Sequence, residues 1–300
     1  MPLSMTGLGG GAASLFRASG GGGLYDFQDA TFTNGTVTGY QGPSLAQARS
    51  GMSGTSANNF KNNTSFFNVT NGQQYWTVPI DGTYRITATG AGMWDHRQGG
   101  YGASLRGDFA LTQGEIIRIL VGQTGPVGGG AAGGSFVVRS PYTTNGSILV
   151  IAGGGGGGHS NGFQSNSNAN SGTSGRQAST PGGNGAGGSS GQGGQGTNSG
   201  GGGGFFSNGG DGGGTGSGGR AYVNGGYGGN ESSDVGGFGG GGTSGNSHGG
   251  GGGGYSGGGG SGGNPWHGGG GGSYNNGSNQ VASEGAVSGN SSSVIIQLIA

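Results

Sequence analysis

Four histidines are the residues in this sequence best suited to acid–base or metal chemistry. Asp95 and His96 form an adjacent acid–histidine pair, whereas His159, His248 and His267 stand singly at the borders of glycine runs. A metal site needs closely spaced histidine or carboxylate ligands. Zinc, haem and iron–sulfur sites built on cysteine are excluded, because the chain contains none. We therefore expect no metal and no cofactor, with the histidines in solvated loops.

Signatures of other chemistry are equally sparse. Serine is abundant, but no Gly-x-Ser-x-Gly stands between a strand and a helix, the setting that exposes a nucleophilic serine. The glycine runs lack the lysine and the following helix of a phosphate-binding loop. Lys61 is the single lysine and the formal net charge is zero, so the phosphate contacts that drive nucleic-acid binding are missing. We expect neither an enzyme nor a nucleic-acid-binding protein.

The stronger candidates for function are the aromatic and polar residues that interrupt the glycine runs. Exposed rings beside Asn or Asp suit surface glycans and protein loops, through stacking and hydrogen bonds. The candidate contact residues are Phe205, Phe206, Tyr222, Asn230, Glu231, Asp234, Asn264, Trp266 and His267. The alternative is that these aromatic residues cap the tract or pack on the rest of the molecule. Phe238 and Tyr255, closely framed by glycines, are predicted to be packing residues.

Glycine dominates the sequence around these candidates. It supplies 92 of the 300 residues, whereas charged residues supply 7%. Residues 153–272, called the glycine tract below, hold 59 of the glycines, in runs such as 153–158, 249–254 and 268–272. The runs follow no Gly-X-Y register, which excludes collagen. Threefold polyglycine II helices, which have no Cβ atoms, approach closely enough to hydrogen-bond to one another. The sequence predicts a bundle of such helices rather than a flexible linker.

The sequence on both sides of the tract indicates an all-β fold with almost no α-helix. Polar and apolar residues alternate at 83–89, where Tyr84, Ile86 and Ala88 point to one side. Strands are predicted at 76–79, 83–89, 104–111, 116–121, 135–139, 148–152 and 293–299, and one helix at 44–52, capped by Ser44. Since the last strand follows the tract, residues 25–152 and 273–300 are predicted to form one two-sheet sandwich with 153–272 inserted.

Residues 1–24 form a small-residue arm that is too short to fold by itself. Its apolar residues are Leu3, Met5, Leu8, Leu15 and Phe16, in two clusters separated by glycines. An extended arm of this kind can fill pockets on a neighbouring protein. The arm is therefore a candidate attachment to a larger particle, and fraying in solution is the alternative.

Four ordered motifs resemble the glycine-rich domain of the anaplastic lymphoma kinase and leukocyte tyrosine kinase receptors. They are WTVPIDGTYRITATGAG at 76–92, GEIIRILVGQTG at 114–125, LVIAG at 149–153, and the pair GGFGG and GGGGGGYSG at 236–240 and 249–257. The resemblance implies a β-sandwich of the tumour-necrosis-factor, jelly-roll type with an inserted polyglycine bundle. In the receptors this region takes part in binding protein ligands.

The sequence departs from those receptors in ways that bear on its location. It has no cysteine and no apolar stretch long enough to span a membrane, and its amino terminus has neither the basic start nor the long apolar core of a secretory signal. We therefore expect assembly in a host cytoplasm and no insertion into a membrane.

Polyglycine bundles are similar in design to the distal domains of adhesins on the long tail fibres of some bacteriophages, where loops touch the host. We therefore expect a bacteriophage virion protein, a tail fibre or fibre-tip adhesin. Its expected partners are other tail proteins and a host glycan or outer-membrane protein. An architectural virion protein without a ligand and an extracellular glycine-rich ligand-binding domain are the alternatives. A monomer and a homo-oligomer are both open.

Overall fold

A computed structural model describes most of the chain. The described residues are 22–94, 99–125, 129–158, 164–179, 185–213, 216–231, 234–245, 247–263 and 266–300. The apolar residues of the arm, together with Asp95, His96, His159 and Asn264, lie outside these ranges. The roles predicted for them stay predictions.

Eleven strands and two short helices are present in the described residues. The strands are β1 Asp29–Thr33, β2 Phe67–Thr70, β3 Gln73–Thr77, β4 Gly82–Thr89, β5 Gly102–Leu111, β6 Ile116–Leu120, β7 Ser135–Arg139, β8 Ile148–Ala152, β9 Tyr274–Asn275, β10 Ser278–Val287 and β11 Ser293–Leu298. The helices are α1 Leu45–Gly51 and α2 Ala57–Phe60. Each predicted strand overlaps one of these elements, whereas β1, β2, β9 and β10 were not predicted.

The strands form two antiparallel sheets. The first sheet has five strands in the order β1-β11-β4-β5-β10, and the second has six in the order β2-β3-β6-β7-β8-β9. In the first sheet β11 lies between β1 and β4, so that Ile296 pairs with Ala30 on one side and Ile86 on the other. The predicted all-β class is confirmed at this level.

Helix α1 begins where the sequence predicts it. The Ser44 side chain accepts a hydrogen bond from the Gln47 backbone N–H, and the Gln47 side chain accepts one from the Ser44 backbone N–H at 2.9 Å. This reciprocal capping box satisfies two backbone donors that the first turn would leave unpaired. The helix packs Ala48 into the core.

The main core lies between the two sheets. Trp76 on β3, Tyr84 on β4 and Phe32 on β1 are fully buried there, and their rings contact one another or Phe27. Tyr84, Ile86 and Ala88 all face this core, as the alternation at 83–89 predicts. Packing of large rings across two sheets accounts for the stability of this part of the molecule.

The outer face of the six-stranded sheet is also buried along β7 and β8. On β7 the side chain of Val137 enters the main core, while Phe136 and Val138 on the opposite face join a second cluster. That cluster, called the outer aromatic cluster, receives four rings from the glycine tract: Phe205, Tyr222, Phe238 and Tyr255. The tract therefore packs on the sheet through side chains placed between its glycine runs. Phe238 and Tyr255 are packing residues, as predicted.

Within the tract, glycine runs are joined by backbone hydrogen bonds that repeat every third residue. Run 249–254 donates to three neighbouring runs, at N···O distances of 2.8 to 3.2 Å. The donor–acceptor pairs are Gly249–Trp266 and Gly252–Gly269, Gly250–Gly129 and Gly253–Ala132, and Gly251–Gly200 and Gly254–Gly203. Successive residues thus point to three different neighbours before the pattern returns. Such a network is incompatible with a flexible linker.

Most tract glycines have no space for a side chain. A Cβ atom at Gly252 would overlap the carbonyl oxygen of Gly154, and one at Gly270 would overlap that of Asn168. Gly213 is different, because its nearest neighbour would be the Thr197 oxygen at 3.5 Å, an ordinary contact. The close approach of backbones explains why the runs contain glycine at most positions and still tolerate other residues at their ends.

Candidate functional site

Two of the predicted contact residues are buried against the sheet. The Phe205 and Tyr222 rings stack at a centroid distance of 5.0 Å, and Tyr222 stacks on Phe136 of β7 at 5.1 Å. Burial raises the pKa of the Tyr222 hydroxyl above its usual range. The predicted exposure of Phe205 and Tyr222 is therefore wrong, and the alternative reading of these rings as packing residues holds. Burying these rings on the apolar sheet face is lower in free energy than exposing them to solvent.

Phe206 belongs to the same region but is only half-buried. Its ring contacts that of Phe205 edge-on at 4.8 Å, with an interplanar angle of 85°. Its backbone N–H donates to the carbonyl of Gly191 at 2.8 Å. Phe206 thus lies at the rim of the outer aromatic cluster, on the side of the tract that faces the sheet.

The far end of the tract is the end of the glycine runs opposite the strands. Run 153–158 leaves β8 and run 129–134 enters β7, so Gly157 and Gly129 lie far from the sheet. Gly157 accepts a hydrogen bond from Gly268 at 2.9 Å, and Gly129 accepts one from Gly250 at 3.2 Å. The residues just before these donors, among them His248 and Trp266, therefore lie at the far end.

His267 lies at the far end but is fully buried. Its backbone pairs with Gly158 and with Ser179, whose N–H donates to the His267 carbonyl at 3.0 Å. The histidine is enclosed because the segments on both sides of it pair with its backbone. The prediction that His267 contacts a partner, or lies in a solvated loop, is wrong.

Trp266 is half-buried and has an unusual backbone. Its φ of 58° lies in the left-handed region, which is strained for a bulky residue. The conformation is fixed on both sides, because its N–H donates to Gly263 at 2.7 Å and its carbonyl accepts from Gly249 at 2.8 Å. The indole meets the ring of His248 edge-on at 6.2 Å. Neither the strain nor the His248 contact was predicted.

The candidates Asn230, Glu231 and Asp234 also lie toward the far end of the tract. Gly229 donates to Gly241 at 2.9 Å, which places the exposed residues Asn230 and Glu231 beside the far half of run 236–245. Asp234 is half-buried, and its carbonyl accepts from Ser244 at 3.1 Å. The structure therefore brings Asn230, Glu231, Asp234 and Trp266 to one end of the tract and places Phe205, Phe206 and Tyr222 at the other.

A cleft that was not predicted lies beside the first sheet. It has a volume of about 440 Å³ and is bounded by the end of β1, the start of β11 and Trp94. Trp94 has 57% of its surface exposed. Trp94 follows the predicted strand 83–89, and nothing in the sequence near it indicates a pocket. The other wall of the cleft comes from residues about 200 positions away.

The described ranges contain no group of three or more His, Cys, Asp or Glu side chains that could hold a metal ion. Among these same ranges, no helix has the length and apolar character needed to cross a bilayer. Neither family models nor curated protein sequences match the chain.

Proposed function

We propose that this chain is a surface-attachment protein of a bacteriophage virion, a tail fibre or fibre-tip adhesin, in which the far end of the glycine tract contacts the host. The single observation that carries the proposal is the conformation of Trp266. A half-buried indole with a φ of 58° is held by hydrogen bonds at both its N–H and its carbonyl. Strain of this kind in a bulky residue clusters at binding sites.

The proposal includes a finer description of the fold. We take the runs of the tract as polyglycine II helices, because hydrogen bonding to three neighbours with a repeat of three residues suits a helix with three residues per turn. We take the sandwich as the tumour-necrosis-factor, jelly-roll type that the resemblance implies. Such helices would form a stiff spacer, so the loops at the far end would bind without first becoming ordered, which reduces the entropic cost of binding.

The chemistry of the far end suits a glycan or a protein loop on a host cell. Trp266 offers an apolar ring with a polar N–H edge, the side chain most enriched at binding hot spots. Asn230 and Glu231 are exposed toward the same end of the tract and add acceptors and donors. The expected partners on the particle are other tail proteins, which the arm at 1–24 would contact.

An architectural role without a ligand is the second candidate function. The observation in its favour is that Phe205 and Tyr222, two of the aromatic residues between runs, are buried on the sheet. In this alternative Trp266 would likewise only cap the tract. The two functions differ in what they require of the far end, and a single substitution separates them.

The test is the change Trp266→Ala, measured as binding of the labelled full-length protein to host cells and as melting temperature. Loss of a hot-spot ring is expected to weaken binding at least tenfold, which corresponds to about 1.4 kcal/mol. The melting temperature should stay within about 2 °C of the wild-type value. Ile116→Ala is the matched control, because Ile116 is 45% exposed and lies at the opposite end of the sandwich.

Unchanged binding by the Trp266→Ala variant would sink the proposed contact. A joint loss of binding and melting temperature would indicate a cap and favour the architectural role. Asn230→Ala combined with Glu231→Ala then serves as a second test, since both side chains are exposed and their removal leaves the packing intact.

A further inference from the structure

The cleft beside Trp94 lies at the end of the first sheet, where β1 ends and β11 begins. Its lining includes Thr33, Asn34, Thr36, Thr38, Trp94 and Asn290, together with serines 291 to 293. All of these side chains are uncharged. The loop that carries Thr36 and Thr38 is tied to the tract, because Gly39 accepts a hydrogen bond from the Phe238 N–H at 2.7 Å. The cleft is thus formed by segments distant in sequence.

The exposed ring of Trp94 packs against a backbone segment that is held in place. Gly289 has a φ of 57°, and a Cβ atom there would lie 2.8 Å from the indole carbon Cε3. Only glycine combines this backbone with room for the ring. Two backbone hydrogen bonds hold Gly289 in this position: Gly289 donates to Met93 at 2.9 Å, and Gly92 donates to Gly289 at 3.0 Å. The benzo ring rests on the backbone of Gly289 while 57% of the Trp94 surface stays exposed.

The floor of the cleft is a closed hydrogen-bond network. The Asn34 amide, only 2% exposed, donates to the carbonyl of Gly122 at 3.1 Å and to the side-chain oxygen of Asn290 at 2.9 Å. The Asn290 amide in turn donates to the carbonyl of Val37 at 2.8 Å. These bonds hold β1, β11 and the loop after β6 together. The cleft is therefore preformed, as ligand sites usually are.

Hydroxyl groups stand around the rim above this floor. Thr36, Thr38 and Ser291 are exposed. Thr36 has a φ of 65°, and its backbone N–H donates to the Asn34 side chain at 3.1 Å. A non-glycine residue in the left-handed backbone region carries a conformational cost, and residues of this kind are common at binding sites. The cleft thus combines one flat apolar wall with several neutral donors and acceptors.

We propose that this cleft binds a single neutral pyranose ring, with one face of the sugar on the exposed indole of Trp94 and its hydroxyls toward Thr36, Thr38 and Ser291. A pyranose has a C–H face that is apolar and an edge of hydroxyls, which matches this arrangement. The lining contains no cation, so an acidic sugar or phosphate has no counter-charge. The inference does not rest on the proposed role of Trp266, which lies at a different site.

The affinity expected for one ring is low. A single sugar ring in an open cleft buries little surface, so the dissociation constant is expected to be on the order of 1 mM. The probes are therefore the methyl glycosides of glucose, galactose, mannose and N-acetylglucosamine at millimolar concentration. Binding to the full-length protein is measured by saturation-transfer NMR and by tryptophan fluorescence. We expect at least one glycoside to bind and to perturb the fluorescence.

Variants assign the signal to the cleft. Trp94→Ala should weaken binding at least tenfold, and Thr36→Val, which removes only a hydroxyl, should weaken it several-fold. Ile116→Ala is the control, because Ile116 is exposed and lies outside both proposed sites, and it should leave sugar binding unchanged. Failure of this site and failure of the proposed attachment role are distinguishable, because the attachment role is measured as binding of the Trp266→Ala variant to host cells. Since Trp94 is exposed, its removal should not alter the melting temperature, which is measured alongside.

The source of the sugar is tested with longer ligands. Tighter binding of the corresponding oligosaccharides would indicate a ring within a glycan chain, whereas equal binding would indicate a single terminal or free sugar; both support the site. Absence of binding by all four glycosides, or binding that survives Trp94→Ala, would overturn the proposal.

Discussion

The sandwich and the glycine tract both exclude water, but they do so with different parts of the residue. Between the sheets, large side chains such as Trp76 and Tyr84 fill the space, and backbones stay apart at the distance their side chains set. In the tract, Gly252 and its neighbours bring backbone against backbone, and peptide hydrogen bonds replace side-chain packing. A chain of low hydrophobic content can therefore be ordered, provided that its buried peptide groups find hydrogen-bond partners.

The two modes of packing differ in which substitutions they tolerate. A side-chain core accommodates a change of shape when neighbouring rotamers shift. At Gly252 the first obstacle is a backbone carbonyl, which has no rotamer and is itself hydrogen-bonded. The smallest possible addition, one methyl group, is therefore expected to matter more in the tract than most truncations do in the sandwich.

The largest effect is expected from Gly252→Ala. The new Cβ would overlap the Gly154 carbonyl, and relieving that overlap breaks hydrogen bonds between runs, so the free energy of unfolding should fall by about 4 kcal/mol or more. Gly213→Ala is the matched control in the same tract and should change it by less than about 0.5 kcal/mol. Thermal unfolding and amide hydrogen exchange measure both variants. Equal, small effects would mean that the runs do not pack as described.

A smaller effect is expected from Phe205→Ala. This ring attaches the tract to the sheet, and its loss leaves a cavity beside Tyr222, costing about 3 kcal/mol. Hydrogen exchange should accelerate in the tract while amides of β4 and β11 keep their protection. Phe206→Ala, at the half-buried rim, should cost clearly less. Equal acceleration in both regions would show that the tract and the sandwich unfold as one unit.

The smallest effect concerns acid, and it should be confined to the sandwich. Asp108 on β5 accepts hydrogen bonds from Arg85 at 2.8 and 2.9 Å and from Asn279 at 2.9 Å. The Arg85 guanidinium lowers the pKa of Asp108 to about 2. Because the folded pKa lies below the unfolded value near 3.9, the stabilisation is complete above about pH 4 and is lost as the pH falls toward about 2.

Asp108→Asn should therefore lower the melting temperature by about 2–4 °C at pH 7, and the difference from wild type should shrink between pH 4 and pH 2. Asp26→Asn, a change of the same charge at an exposed position outside the ion pair, is the control and should leave the melting temperature at pH 7 unchanged. A constant difference across the range would contradict the ion pair as the cause.

Much of the sandwich could be predicted because its strands carry their own signal. The alternation in β4 places Tyr84, Ile86 and Ala88 in the core, and Ser44 with Gln47 marks the start of α1. Strand β10 was missed because its side chains are almost all exposed at a sheet edge, so burial imposes no alternation on SNQVASEGAV. An edge strand is determined by the strand it pairs with, and local sequence does not contain that information.

The candidate site was harder to predict than the fold. Phe205 and Trp266 are both aromatic residues beside glycine runs, yet one packs on the sheet and the other lies at the far end. A residue beside a run lies either at the sheet or at the far end, depending on the direction in which that run crosses the tract. Composition and spacing are the same for either direction.

The all-β class and the need of the runs for glycine could be predicted from the sequence, because they depend on residue type and local period. Only the folded structure shows which rings cover the outer sheet face and that Trp94, Asn34 and Asn290 line one cleft. Those outcomes depend on contacts between segments as far apart as β1 and β11. Such contacts arise only when the strands pair and the backbones of the tract approach, so no local pattern in the chain encodes them.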